Sequence, residues 1–165
     1  MDSISEARLA SICPELAIRV RKMAEMLAEE KIVIMVTQGL RTWDEQDRLY
    51  QQGRTAPGKI VTNAPAGSSY HNYGLAVDVC PDDPTLAGFQ LDWNLNHPAW
   101  KRIVSIGESL GLVSGSEWRT FPDWPHFQLT GPFPTSPNHD VKELFRSHGM
   151  QSVWNIVMGT PAPAV

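Results

Sequence analysis

Apolar residues recur along the chain at intervals that first fit a helix and then a strand. Four of them, spaced four, three and four residues apart, are Leu16, Val20, Met23 and Leu27. This spacing predicts one apolar face on a helix from Pro14 to about Glu30. The next apolar run, Ile32 to Val36, is continuous and rich in β-branched residues, which predicts a buried strand.

The segment after this strand changes from a helical to an irregular pattern. Thr42 and Glu45 have the spacing of a capping box, which predicts a helix that Gly53 ends. Residues 54–75 are rich in Gly, Pro, Ser, Thr and Asn. They predict a long ordered loop with one short strand at Ile60–Thr62, and loops of this length inside a compact domain are usually functional.

Two later segments alternate between apolar and polar residues. In the segment 76–80, Val77 and Val79 point one way and Asp78 points the other, toward the open face of a strand. His126 is followed by an apolar residue and then a polar one, which places it on the outward face of another short strand.

The remaining pattern predicts helices and a single folded unit. Pro98 begins a helix that Gly111 ends, and residues 139–158 predict one or two terminal helices. No linker to a second domain is visible, so residues 1–158 are expected to form one domain and residues 159–165 a frayed tail.

Composition narrows the class of protein. The chain has 165 residues, 42% hydrophobic and 19% charged, with a formal net charge of −4, which is typical of a globular domain. The chain has no run of basic residues that would indicate a nucleic-acid partner. Its longest apolar run is too short to span a bilayer. The acidic N-terminus lacks the pattern of a secretory signal, so we expect synthesis and folding in the cytosol, with two reduced, buried cysteines.

The chemistry of the chain centres on two imidazoles and two carboxylates. His71, Asp78 and His126 could close on one metal ion, and Zn²⁺ suits two neutral imidazoles and one carboxylate. Three protein ligands with an open position are typical of a catalytic zinc site, where the ion activates a water molecule. Asp123, three residues before His126, could then act as general base and acid.

Other side chains fit around this hypothesis, although each also has a purely structural interpretation. Arg41 could bind a substrate carboxylate or a developing oxyanion, and Ser69 could orient a ligand or contact the substrate. Trp118 and Trp124 flank the proposed site and could line a substrate groove or pack in the core. A single histidine beside a strand is often only a hydrogen-bonding residue, Asp78 could pair with an arginine, Asp123 could begin a turn, and Arg41 could form a surface ion pair.

Two motifs resemble the LAS-type zinc peptidases, which include D-Ala-D-Ala carboxypeptidases and phage L-alanyl-D-glutamate endopeptidases. Ser69-x-His71 followed by Asp78 matches their Ser-x-His-x₆-Asp motif, and Asp123-x-x-His126 matches their second motif. The segments 37–55 and 121–128 also resemble the phage endolysin and spore-former branch. The resemblance extends over about residues 15–130 in the right order.

The resemblance implies a fold and a set of roles. The fold is a small α+β domain of the hedgehog/D-Ala-D-Ala peptidase type, with helices on one face of an antiparallel sheet and a zinc groove on the other. The implied zinc ligands are His71, Asp78 and His126, and the implied general base is Asp123. Arg41 matches the family arginine that binds a substrate carboxylate or the transition state, and Ser69 matches the motif serine. Apart from the resemblance, Trp124 is expected to contact the substrate because it lies between Asp123 and His126.

The implied activity is zinc-dependent hydrolysis of the L-Ala–D-Glu bond in the stem peptides of bacterial peptidoglycan, as in an endolysin. Many carboxypeptidase relatives have Glu as the base, and the Asp at position 123 favours the endopeptidase branch. The alternatives are a D,D-carboxypeptidase or dipeptidase on D-Ala-D-Ala, and a non-catalytic wall-binding module. We expect a monomer without a separate wall-binding domain, which would act on the cell wall after release from the cytosol.

Overall fold

The computed structural model describes residues 1–82 and 90–159. Its sheet has four antiparallel strands in the order β1-β2-β4-β3. Their bounds are β1 Val33–Gln38, β2 Ala76–Asp82, β3 Val113–Gly115 and β4 Asp123–Gln128. The order places β2 and β4 side by side in the middle of the sheet, where each has a neighbour on both sides.

The described residues also form five α-helices and one short 3₁₀ helix. The α-helices are α1 Ser3–Leu9, α2 Pro14–Glu29, α3 Trp43–Gln51, α4 Ala99–Ser109 and α5 His139–Val157. The 3₁₀ helix, Tyr70–Tyr73, directly precedes β2. The helix α5 is kinked at Gly149, whose φ of 77° is not helical.

The hydrophobic core lies between the sheet and the helices α2 and α4. The four apolar residues that predicted α2 are fully buried, as are Val77 and Val79 of β2. Phe127 of β4 packs so closely on α4 that a Cβ on Gly107 would lie 2.4 Å from its ring. Because side chains alternate along a strand, this packing leaves Asp78 and His126 on the opposite face of the sheet.

The predicted α+β class, with a small antiparallel sheet covered by helices, is confirmed. The Thr42–Glu45 capping box is present in full, and both cysteines are free and buried. The predicted strand at Ile60–Thr62 is wrong, because this segment is irregular and is fixed by side-chain hydrogen bonds. The predicted tail, 159–165, lies outside the described residues after Gly159. No helix in the described ranges is long and apolar enough to cross a bilayer.

Candidate active site

Asp78 and His126 meet because their strands are neighbours in register. The pairing of β2 with β4 places the two residues directly opposite each other. Directly opposed side chains on one face of an antiparallel pair lie within contact distance. The Asp78 Oδ1 is accordingly 3.3 Å from the His126 Nδ1.

His71 reaches the same carboxylate from the 3₁₀ helix. The Ser69 side chain accepts a hydrogen bond from the His71 amide at the start of this helix. Gly74 ends it in the left-handed conformation, with φ 61°, which turns the chain into β2. As a result, the His71 Nε2 lies 3.2 Å from the Asp78 Oδ1. One ligand atom from each of His71, Asp78 and His126 lies within 4.8 Å of the others.

Each of the two imidazoles makes a hydrogen bond through the ring nitrogen that points away from Asp78. This leaves the other ring nitrogen available to a cation. The His71 Nδ1 is 2.8 Å from the Gly39 carbonyl oxygen, which can only accept, so this nitrogen carries the hydrogen. The His126 Nε2 is 3.0 Å from the Gln128 Oε1, whose amide is oriented by donation to the Thr135 carbonyl. In neutral rings, both inner nitrogens therefore point lone pairs at a carboxylate oxygen, and a divalent cation satisfies all three.

The electrostatics of this cluster favour an ionised Asp78. Burial acts to raise its pKa, but His71 and His126 outweigh burial and hold the pKa well below its usual range. Burial lowers the pKa of His71. The pKa of His126 is raised despite burial, because Asp78 accepts its hydrogen bond. A metal ion that bound here would therefore compete with a proton for the Nδ1 of His126.

Asp123 enters the same region through an irregularity in β4. Residues three apart on a regular strand face opposite sides, yet Asp123 and His126 both line the groove. The register of β3 with β4 shifts between Ser114 and Gly115, which pairs Gly115 with Asp123. Burial, followed by repulsion from Asp78, raises the pKa of Asp123 to about 6. A carboxyl group with such a pKa in a groove is suited to general base and acid chemistry.

Arg41 approaches the cluster from the segment between β1 and α3. Its Nη2 is 3.3 Å from the Asp78 Oδ2, and its Nη1 donates to the Gln46 Oε1 at 2.8 Å. The Gln46 side chain is fully buried and donates in turn to the Ala64 carbonyl oxygen. The Nε of Arg41 is buried and has no partner among the described residues, so the hydrogen bonds of this guanidinium are made by its two Nη groups.

His71, Asp78, Asp123 and His126 line a groove of about 860 Å³ on the face of the sheet opposite α2 and α4. Arg41, Ser69 and Trp118 also contribute to its wall, and the Trp118 ring lies 4.8 Å from the His126 ring. Trp124 does not line this groove. Its partly buried side chain packs against the hydrophobic core instead, where β4 is irregular. The structure therefore does not place Trp124 where it was predicted to contact the substrate.

Three supporting residues were not identified from the sequence. Gln128 had a signal, because its place two residues after His126 puts it on the same face of β4. Gln46 and Asn72 had none, since a polar residue on a helix or in a loop is usually exposed. Asn72 is buried and donates to the carbonyl oxygens of Arg41 and Thr42, which joins the segment of Arg41 to the helix of His71.

Comparison with known proteins shows similarity in this region. Residues 62–129 match the family described as D-alanyl-D-alanine carboxypeptidase. The chain is 42% identical over 106 residues to the peptidoglycan L-alanyl-D-glutamate endopeptidase CwlK of Bacillus subtilis (strain 168). The similar segment covers 62% of this chain, and this chain spans 64% of the length of that relative.

Two solved structures share the fold. The L-Ala D-Glu endopeptidase ChiX of Serratia marcescens matches with a TM-score of 0.54 and 24% identity, over 90% of this chain and 92% of that chain. The L,D-carboxypeptidase DacB of Streptococcus pneumonia matches with a TM-score of 0.51 and 20% identity, over 82% and 72%. The sequence matches therefore show that a central segment of the chain is similar to peptidases of this kind, and the two solved structures show that the chain shares their fold.

Proposed function

We propose that this protein is a zinc-dependent endopeptidase that hydrolyses the L-Ala–D-Glu bond of peptidoglycan stem peptides. The observation that supports it most is the convergence of the His71, Asp78 and His126 ligand atoms within 4.8 Å, next to a carboxyl group with a pKa of about 6. The choice of Zn²⁺ rests on the donor set of two imidazoles and one carboxylate.

The choice of bond rests on the relatives and on the shape of the groove. The names of both CwlK and ChiX specify L-alanyl-D-glutamate endopeptidases. The groove also continues past the metal ligands in two directions, toward Trp93 on one side and toward Ser136 and Pro137 on the other. An enzyme that cuts inside a longer molecule needs space on both sides of the bond, whereas a carboxypeptidase needs little space beyond the terminal residue.

The residues of the site divide the work of amide hydrolysis. Bound Zn²⁺ would supply Lewis-acid polarisation of the scissile carbonyl and acidify a water molecule. Asp123 takes the proton from the attacking water and transfers it to the departing amine of D-Glu. Arg41 donates to the oxygen that becomes negative in the transition state, or to the neighbouring D-Glu carboxylate. Gln46 holds the guanidinium in place, and Ser69 supports the helix of His71.

A D,D- or L,D-carboxypeptidase is the second candidate function. The description of the matched family and the structural similarity to DacB both favour consideration of this activity. The two candidates differ in their products, because an endopeptidase of this type creates a new N-terminal D-Glu and a carboxypeptidase releases a free D-amino acid.

Digestion of purified peptidoglycan tests the proposal. The soluble and insoluble products are labelled at free amines and analysed by mass spectrometry, with the protein loaded with Zn²⁺, treated with a chelator, or changed by His71→Ala. We expect new N-terminal D-Glu only with the loaded wild-type protein. Release of free D-Ala would instead establish the carboxypeptidase, and wall binding without any new terminus would indicate a non-catalytic module.

A further inference from the structure

Trp93 is an exposed aromatic side chain at one end of the groove. It lines the groove, yet 52% of its surface is exposed, which is unusual for the largest apolar side chain. Its indole nitrogen makes no hydrogen bond to another described residue. A tryptophan in the wall of a binding groove is suited to a ligand with an apolar face and a polar edge.

The backbone of Trp93 is tied to the end of β2, which fixes its position along the groove. The Asp92 amide donates to the Pro81 carbonyl oxygen at 2.9 Å, and Leu91 forms a bridge with Asp82. Pro81 follows Asp78 by three strand positions, so this attachment lies about 10 Å along β2 from the metal ligands.

The two ends of the groove differ in charge. The carboxylates of Asp82 and Asp92 lie at the Trp93 end, where they accept hydrogen bonds from the amides of Gln90 and Asn94. At the opposite end, Ser68 lines the groove, and its hydroxyl oxygen accepts a hydrogen bond from the Lys142 ammonium at 3.2 Å. A substrate with negative charge on one side of the scissile bond is therefore steered to place that side toward Lys142.

The chemistry of the substrate matches this difference. On the amine side of the L-Ala–D-Glu bond are the D-Glu carboxylate and the diamino acid. On the carbonyl side, L-Ala is joined through a lactyl group to an uncharged N-acetylated muramic sugar. The alanine and lactyl units together span roughly 7 Å when extended, so the sugar ring starts just short of the position to which Trp93 is attached.

We infer that Trp93 binds the muramic sugar of peptidoglycan, so that the enzyme prefers a stem peptide that is still attached to its glycan. The inference rests on the proposed function, since the sugar lies next to the scissile bond only if that bond is L-Ala–D-Glu. The C–H face of the sugar stacks on the indole ring, and the polar groups of the sugar remain free to bond with the indole N–H and with water.

The experiment compares two synthetic substrates that differ only in the group on the L-Ala amine. One is N-acetylmuramoyl-L-Ala-D-Glu-diamino acid, and the other is the same peptide with an acetyl group in place of the sugar and lactyl unit. The wild-type protein loaded with Zn²⁺ is expected to have a kcat/KM at least about fivefold higher for the first, mainly through a lower KM. Trp93→Ala should lose this preference and keep the rate on the acetyl peptide within about twofold, whereas Trp93→Phe should retain much of the preference.

Leu95→Ala is the matched control, because Leu95 is 51% exposed in the same loop but does not line the groove. Equal kcat/KM values of the wild-type protein for the two substrates would overturn the inference, and so would a Trp93→Ala variant that keeps the preference. Neither result affects the proposed function, because N-terminal D-Glu would still be formed. Absence of that product from both substrates would instead refute the proposed function together with the inference.

Discussion

Gly115 and Asp123 face each other across the β3–β4 pair so closely that a Cβ on Gly115 would lie 2.7 Å from the Asp123 carbonyl oxygen. The same Cβ would lie 3.2 Å from the Cβ atoms of Asp123 and His126. The absence of a side chain at position 115 therefore allows the strand irregularity that brings Asp123 and His126 to one face.

Gly115→Ala should therefore displace Asp123 from its position. We expect kcat to fall by about tenfold or more, because a general base is effective only within hydrogen-bond reach of the reacting water, and stability to fall by about 1–3 kcal/mol. Steady-state kinetics and thermal unfolding measure these effects. Glu117→Ala, an exposed change in the same loop, is the control and should behave like the wild type. A Gly115→Ala variant with full activity would show that the close contact does not position the base.

Gln128→Met should weaken metal binding without removing a ligand. The side chain of Gln128 accepts from the His126 Nε2 and so keeps the Nδ1 lone pair directed at the metal site. Loss of such a partner typically costs about 10–100-fold in metal affinity. Competition with a chromophoric zinc chelator measures the affinity. Gln51→Met, in an exposed position on α3, is the control, and an unchanged affinity in Gln128→Met would contradict the tautomer assigned to His126.

Gln46→Met should affect turnover through Arg41. The buried amide accepts from the Arg41 Nη1, so its loss releases the guanidinium and leaves the Ala64 carbonyl oxygen unpaired. We expect a fall in kcat of roughly tenfold and a loss of about 1–3 kcal/mol in stability. Kinetics at a temperature well below the unfolding transition separates the two effects. If kcat stays constant while stability falls, Gln46 supports only the loop and not the arginine.

Asp123→Asn should abolish turnover while the fold and the metal content stay intact. The amide cannot take a proton from water, and general acid–base catalysis is worth about 10²–10⁴-fold in rate. Product analysis on peptidoglycan, together with measurement of bound zinc, tests this expectation. A rate near that of the wild type would exclude Asp123 as the general base.

Asp123→Asn should also raise the free energy of unfolding of the metal-free protein, because the pKa of Asp123 is raised in the folded state. Folding raises the pKa of Asp123 to about 6, so the folded state binds the proton more tightly than the unfolded state does. The wild type therefore loses stability relative to Asp123→Asn as the pH rises from 4 to 6. At pH 8 the variant should be more stable by up to about 3 kcal/mol, and at pH 3.5 the advantage should vanish. Urea unfolding with a chelator present measures both values, and an advantage independent of pH would contradict the raised pKa.

The sequence was sufficient for the residues whose position follows from a local rule. The alternation of Val77, Asp78 and Val79 places the carboxylate on the open face of β2, and the capping box locates the start of α3. The sequence was insufficient where a contact between distant segments determines the orientation of a side chain. The side chain of Trp124 faces the core because β4 is irregular, and this irregularity depends on Gly115 in another strand.

The loop 54–75 illustrates the same limit. Ile60–Thr62 has the composition of a strand but forms none, because its backbone pairs with side chains instead of with another strand. For example, the Arg54 guanidinium donates to the Thr62 carbonyl oxygen. Gln46, which is buried under this loop, could not be distinguished from an exposed helical glutamine for the same reason.

The contact between Trp154 and Tyr73 shows that the site depends on residues outside the segment that carries His71, Asp78 and His126. The indole N–H of Trp154 donates to the Tyr73 carbonyl oxygen at 2.7 Å, so the terminal helix α5 braces the short helix that presents His71. The segment that matches the family model is 62–129. Arg41 and Gln46 precede it, and Trp154 follows it. A graft or truncation that kept only segment 62–129 would retain His71, Asp78 and His126 but lack Arg41, Trp154 and the buried face of α2, and it would be expected to form neither the core nor the site.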